Sequence, residues 1–201
     1  MKHAQSAMTS DHPPSPVARP PSRRRRAILI GAGLSAAGVG GAVYVASQSD
    51  HPLAVAEFSD LGHAMSTLER LRQNALRTRS GWDLAHALHH VAQSIEYSLD
   101  GFPQLKPAWF QNTLGAAAFA IFSARGKMSH GLDEPVPGAA NIADGQALGP
   151  AADHLSEALL RFDRHAGKLA PHFAYGSLSK ADYMRAHLMH LANHWDLVES
   201  G

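Results

Sequence analysis

GWDLAHALHHVAQSIEYSLDGFP, Gly81 to Pro103, carries two stripes at helical spacing. Leu84, Leu88, Val91, Ile95 and Leu99 recur at three- and four-residue intervals, and so, on another face, do His86, His90, Gln93 and Tyr97. A helix so patterned lies between an apolar core and a polar cavity. Trp82-Asp83 opens it, and Gly101 followed by Phe102-Pro103 stops it, because glycine accepts the dihedrals of a helix end and proline cannot continue one.

Helical patterning extends outward from this stretch. Ser59 and Asp60 are placed to cap a first helix running to about Leu76, with Leu61, Met65, Leu68, Leu71 and Leu76 near helical spacing. Pro107 suits the start of a third helix, through Phe110, Leu114, Phe119 and Phe122 to Gly126. A long loop with Pro135, Pro137, Gly138, Gly145 and Gly149 leads to a fourth helix from about Ala151 to His165. A second loop, KLAPHFAYGSL, leads to Ser179, which caps a fifth helix reaching about Val198. β-branched residues are sparse and no hairpin turn separates alternating runs. The expected fold is all-α, an up-and-down bundle of four long helices over residues 53–201, with one shorter or peripheral helix and long loops.

The fifth helix carries AHLMHLANHW, Ala186 to Trp195. At 100° per residue, His187, His190 and His194 fall within about 60° of one another, beside Tyr183, Met184 and Leu191. Each imidazole on a core-facing stripe needs a hydrogen-bond partner or costs about 1–3 kcal/mol. His190 and His194, one turn apart, have the spacing that lets two rings reach one cation. Two histidines do not complete a site, and the second helix offers His86, His89 and His90. His86 and His90 form a second i, i+4 pair, and spacing does not choose between them.

Composition narrows the chemistry. The chain has 201 residues, 45% of them hydrophobic, 14 histidines and no cysteine. Thiolate metal sites, disulfides and cysteine nucleophiles are thereby excluded, so a metal must be held by nitrogen and oxygen. The formal charge of +1 hides an asymmetry: residues 1–50 hold six Lys/Arg against two Asp/Glu, and residues 51–201 hold twelve against fifteen. The mildly acidic folded part argues against nucleic acid as a partner.

Residues 1–26 form a basic N-terminal region whose Pro, Ser and Ala content is that of a disordered segment. Within the segment that follows, GAGLSA (Gly31 to Ala36) matches a dinucleotide-binding fingerprint behind Ile28-Leu29-Ile30. The context is wrong for it: no charged residue occurs from Ala27 to Ser49, and no further strand-helix alternation follows. Arg23 to Arg26 ahead of an uncharged, Gly/Ala-rich stretch is instead an export pattern, resembling a twin-arginine (Tat) signal peptide. The translocation machinery would then be a partner. If residues 27–47 stay uncleaved, as a transmembrane helix and membrane anchor, the domain is periplasmic or faces outward from the cytoplasmic membrane.

Over Phe58 to Val198 the chain resembles the DinB-like superfamily of metal-binding four-helix bundles, in particular an exported branch known as a domain of unknown function. Three stretches carry the likeness: W-x6-H-H-V-A-Q-S-I-E-Y-S-L-D-G-F-P from Trp82, A-P-H-F-A-Y-G from Ala170, and H-x3-H at His190 and His194. The resemblance implies a histidine triad that binds metal, formed here by His90, His190 and His194. It departs at Asn193, where related sequences often carry another histidine. Zn²⁺, Ni²⁺ and Fe²⁺ all suit three imidazoles with open positions.

The same resemblance implies a metal-dependent enzyme acting on a small molecule, a thiol-dependent transferase or isomerase or a hydrolase. His187, Glu96, Tyr97, Asn193, Asp196 and His172 are candidates to orient ligands or move protons around the centre. The alternative is a non-catalytic metal- or ligand-binding bundle at the membrane, for which a fourth protein ligand such as His187 would close the site. A third reading makes the histidines pH-sensing groups of a structural bundle.

Overall fold

The computed structural model describes residues 52–71, 77–78, 81–196 and 198–199. The basic region 1–26 and the apolar segment 27–47 lie outside the described residues, as do residues 72–76, over which the first helix was expected to continue.

A short 3-10 turn, Ala56–Phe58, precedes α1 (Leu61–Leu71). α2 follows over Leu84–Asp100, then α3 (Ala108–Phe110), α4 (Ala116–Arg125), α5 (Leu148–Arg164) and α6 (Lys180–Trp195). The described residues are therefore helical, apart from a two-residue antiparallel pair of strands, β1 (Arg77–Thr78) and β2 (Val198–Glu199). The last helix ends at Trp195, three residues before the expected Val198. The fourth helix begins earlier than expected, at Leu148, and runs through Pro150, which sits in the first turn where its missing N–H has no helical partner to lose.

Caps appear where short polar side chains precede apolar runs. Asp83 accepts a hydrogen bond from the His86 backbone N–H at 2.7 Å, and Ser179 accepts one from Asp182 at 3.1 Å. Asp60 accepts from His63 at 2.9 Å. α3 and α4 are joined through a π-helical segment, Gln111–Gly115, with helical dihedrals on either side, so the chain runs as one irregular helix from Ala108 to Arg125.

The apolar stripe of α2 enters the core as expected. Leu84, Leu88, Val91 and Ile95 are buried with Leu68 of α1, Leu155, Leu159 and Phe162 of α5, and Leu188 and Leu191 of α6. Phe58 is fully buried and meets the Trp195 ring edge-on at a centroid distance of 5.2 Å, which seats the last turn of α6 on the segment before α1. α4 is the peripheral helix. It packs on α6 through Phe119, Ala186 and Met189, and Arg185 Nε donates to Ser123 Oγ at 2.8 Å.

Two glycines set close approaches. Gly126 ends α4 at φ +64°, and a Cβ there would stand 2.3 Å from the Pro52 carbonyl oxygen, beside the Ala54 N–H that donates to the Gly126 carbonyl at 2.9 Å. A Cβ at Gly115 would stand 1.8 Å from the Ala174 carbonyl oxygen, so this glycine lets the Ala170 to Gly176 loop lie against the π-helical segment. Gly115→Ala is expected to destabilise the chain by about 2 kcal/mol or more, because the obstacle is backbone. Gly149→Ala, whose added Cβ meets nothing within 4 Å, should be neutral or slightly stabilising. Urea unfolding of both variants checks this, and equal midpoints would contradict it.

Candidate metal centre

α2 and α6 bring three rings together. His90, His190 and His194 are all buried, and each offers a ring nitrogen such that the three lie within 4.8 Å of one another. Ring centroids are 5.0 Å apart for His90 and His190, 5.2 Å for His90 and His194, and 5.0 Å for His190 and His194. The His190 and His194 Nε2 atoms are 3.2 Å apart. Two nitrogens at about 2.0–2.1 Å from one cation, separated by an angle near 100°, would stand at about this distance. The one-turn spacing on α6 produces it directly.

The histidine left open on α2 is resolved by a long-range contact. His86 turns away to Asp144, in the loop before α5, with Nδ1 at 3.0 Å from Oδ1, and stacks on Trp82 at a centroid distance of 4.4 Å. Trp82 also lies 4.9 Å from the His90 ring and 6.2 Å from the His194 ring, so it covers this side of the cluster. His89 points elsewhere, with Nδ1 at 2.7 Å from Nδ1 of His154 in α5.

Burial fixes the protonation state of the cluster. Desolvation, together with the neighbouring His130 and His86, lowers His90 to about 4. Desolvation with His90 and His130 lowers His194 to about 3, and desolvation with His194, His90, His130 and His187 holds His190 well below the usual imidazole range. All three rings are neutral at pH 7. Their lone pairs are available to a cation without loss of a proton. His90 Nδ1 and His194 Nδ1 are also buried with no hydrogen-bond partner. Neutral rings whose nitrogens converge, with His190 Nε2 and His194 Nε2 facing each other, fit a divalent transition metal, which accepts their lone pairs.

The expected supporting residues separate into two groups. His187 is buried near the cavity, but its Nε2 lies 3.3 Å from Ser98 Oγ and its ring packs edge-on against Phe162. It stands outside the three-nitrogen cluster, and the expectation that it supplies a fourth ligand is not met by this geometry. His172 accepts from the Ala174 and Tyr175 backbone N–H groups through Nδ1, at 3.2 and 3.1 Å, and stacks on Tyr175. Its Nε2 therefore carries the proton. Asn193 donates to the His130 carbonyl at 3.5 Å.

The remaining three candidates are engaged elsewhere. Glu96 accepts from His154 Nε2 at 2.9 Å, Tyr97 accepts the Ala140 N–H at 3.4 Å, and Asp196 pairs with Lys127 at 2.7 Å.

One ring was missed. His130, in the loop between α4 and α5, packs on His190 and His194 at centroid distances of 4.8 and 5.3 Å. It stands alone between Ser129 and Gly131, so no periodic spacing marked it.

A cavity of about 230 Å³ opens beside the cluster, lined by His90, His130 and His190 and also by His172, Phe173 and Tyr175. Glu134 and Lys106 supply its charged groups. The Tyr175 phenol is pushed up to about 12 by burial and stays protonated.

A family model described as "Protein of unknown function (DUF1569)" matches residues 53–200. The chain belongs to that family. No curated protein and no solved structure is significantly similar to it.

Burial of neutral histidines makes stability depend on pH. His187, lowered to about 3 by desolvation, titrates near 6.5 once unfolded, so the unfolded chain binds more protons between these values. Its contribution is complete above pH 6.5 and is lost as pH falls toward 3, at about 1.4 kcal/mol per pH unit. The metal-free chain should therefore lose stability steeply below pH 6.5. His187→Leu should make the fall shallower by about one proton. Denaturant unfolding at several pH values checks this, and identical slopes for the two chains would contradict it.

Proposed function

We propose that this chain is a DinB-like four-helix bundle, built from α1, α2, α5 and α6, in which His90, His190 and His194 hold a divalent transition metal, Zn²⁺, Ni²⁺ or Fe²⁺. The observation that carries this reading is the convergence of three buried imidazoles from two helices, two of which, His90 and His190, line a cavity. Such a cation supplies Lewis acidity and attracts anionic or thiolate ligands. The protein's own residues would orient and enclose a small molecule. Phe173 and Tyr175 offer apolar faces, Lys106 attracts a negative group, and His172 presents a neutral ring with its proton on Nε2. This favours a metal-dependent enzyme of transferase, isomerase or hydrolase type.

The residues before the domain give the reading a place in the cell. Arg23 to Arg26 and the uncharged Ala27 to Ser49 support twin-arginine export or anchoring, with the bundle periplasmic or facing outward from the membrane. Among the described residues, no helix is long and apolar enough to cross a membrane, so an anchor would have to be supplied by residues 27–47.

Elemental analysis of the untagged chain should find about one equivalent of metal, lost in both His190→Ala and His194→Ala. His63→Ala, at an exposed position on α1, should retain it. A parent that takes up no metal at neutral pH would overturn the proposal. Separately, residues 1–50 fused to a reporter should direct export in a bacterial host, and replacing Arg23 to Arg26 by lysine should abolish it. Export that survives this charge-conserving change would point to a signal of another kind.

A further inference from the structure

His130 is placed as the other histidines of the cluster are, but from a loop. Its distances to the His190 and His194 rings, 4.8 and 5.3 Å, match the 5.0 and 5.2 Å that separate His90 from the same two rings. Nδ1 lies 2.6 Å from the Gly131 carbonyl oxygen, an acceptor only, so Nδ1 carries the proton. In the neutral ring Nε2 then holds the lone pair, and that atom is buried without any hydrogen-bond partner. A hydrogen bond from Nδ1–H to a backbone carbonyl is the usual support of a metal-binding imidazole.

The loop around this ring is held on both sides. Met128, two residues earlier, is buried with Phe119, Ala186 and Met189, and Asn193 of α6 reaches the His130 carbonyl. Asn193 stands immediately before His194, so one turn of α6 both carries a ring of the cluster and anchors the loop that brings His130 to it. Burial together with an unpartnered lone pair is costly unless something accepts that lone pair.

We propose that His130 is a fourth nitrogen donor of the metal centre, supplied by the loop between α4 and α5. The inference rests on the triad reading above and goes beyond it. His130 falls outside the compact three-nitrogen set, so coordination draws the loop toward His190 and His194. The same loop, through Glu134 to Pro137, forms a wall of the cavity. Engagement of His130 therefore couples the ligand number of the centre to the shape of the space beside it. A small anionic ligand entering from the cavity competes with a histidine for one position.

The test uses the full chain with ¹⁵N-labelled histidine, titrated with Zn²⁺ and followed through the ring nitrogens, with Co²⁺ absorption as a second reading. Four metal-bound rings in the parent, three in His130→Ala, and at least about a tenfold loss of Co²⁺ affinity in that variant are expected. Free imidazole should restore the parent Co²⁺ spectrum to His130→Gly, which a merely structural role would not produce. Three bound rings in the parent, or four that remain four in His130→Ala, would overturn the proposal while leaving the triad standing. No bound ring in the parent would remove both. The count in the parent needs no variant, so misfolding of a substituted chain does not hide the answer.

Discussion

The structure turns on the cost of burying imidazole. A neutral ring has one donor and one acceptor, and away from water each must find a partner. Between α2 and α6 the chain buries His90, His187, His190 and His194, none more than 9% exposed. Only some of these nitrogens are satisfied by protein. Ser98 shows how one of them is: its hydroxyl donates to the Ile95 carbonyl at 2.6 Å and is left free to accept from His187. His90 and His194 each keep a buried nitrogen with no such partner, and the cavity lies beside His90 and His190. The apolar core on the other face of α2 supplies the rigidity that keeps such rings apart from water.

The loops are as constrained as the helices. The Ala170 N–H donates to the Ser98 carbonyl at 2.9 Å, and the Tyr183 hydroxyl donates to the Ala170 carbonyl at 2.8 Å, so the segment before α6 is tied to both site helices. The Lys106 N–H donates to the Phe173 carbonyl at 2.8 Å. These bonds hold His172, Phe173 and Tyr175 against the cavity. Shape at the cavity mouth is thus set by backbone pairing.

Helical periodicity made the core and the α6 pair legible, because both follow from spacing within one element. The apolar stripe of α2, the Asp83 and Ser179 caps and the one-turn step from His190 to His194 were all readable in this way. What periodicity could not decide was set by contacts between distant segments. Asp144 draws His86 off the cluster across 58 residues, and His154 engages Glu96 across the same separation. His187 lies on the right face but one turn too early, level with Ser98 and Phe162. His130 had no local pattern at all, since a loop residue's position depends on what anchors the loop.

The second histidine group sharpens the meaning of the first. His89, His154 and Glu96 form a chain of contacts at 2.7 and 2.9 Å between α2 and α5. Glu96 accepts from His154 Nε2–H, which leaves His154 Nδ1 to accept from His89 Nδ1–H, so one carboxylate orders the protons of two rings. His154 and Glu96 are partly exposed to water, although His89 Nε2 is buried without a hydrogen-bond partner. The cluster of His90, His190 and His194 has neither aid. No carboxylate contacts it among the described hydrogen bonds and ion pairs, and its rings cannot share protons so that every nitrogen is paired. Two groups of similar composition therefore differ: a carboxylate orders the protons of one, and the other, with no carboxylate beside it, is buried and neutral, the condition in which a cation is a partner that fits.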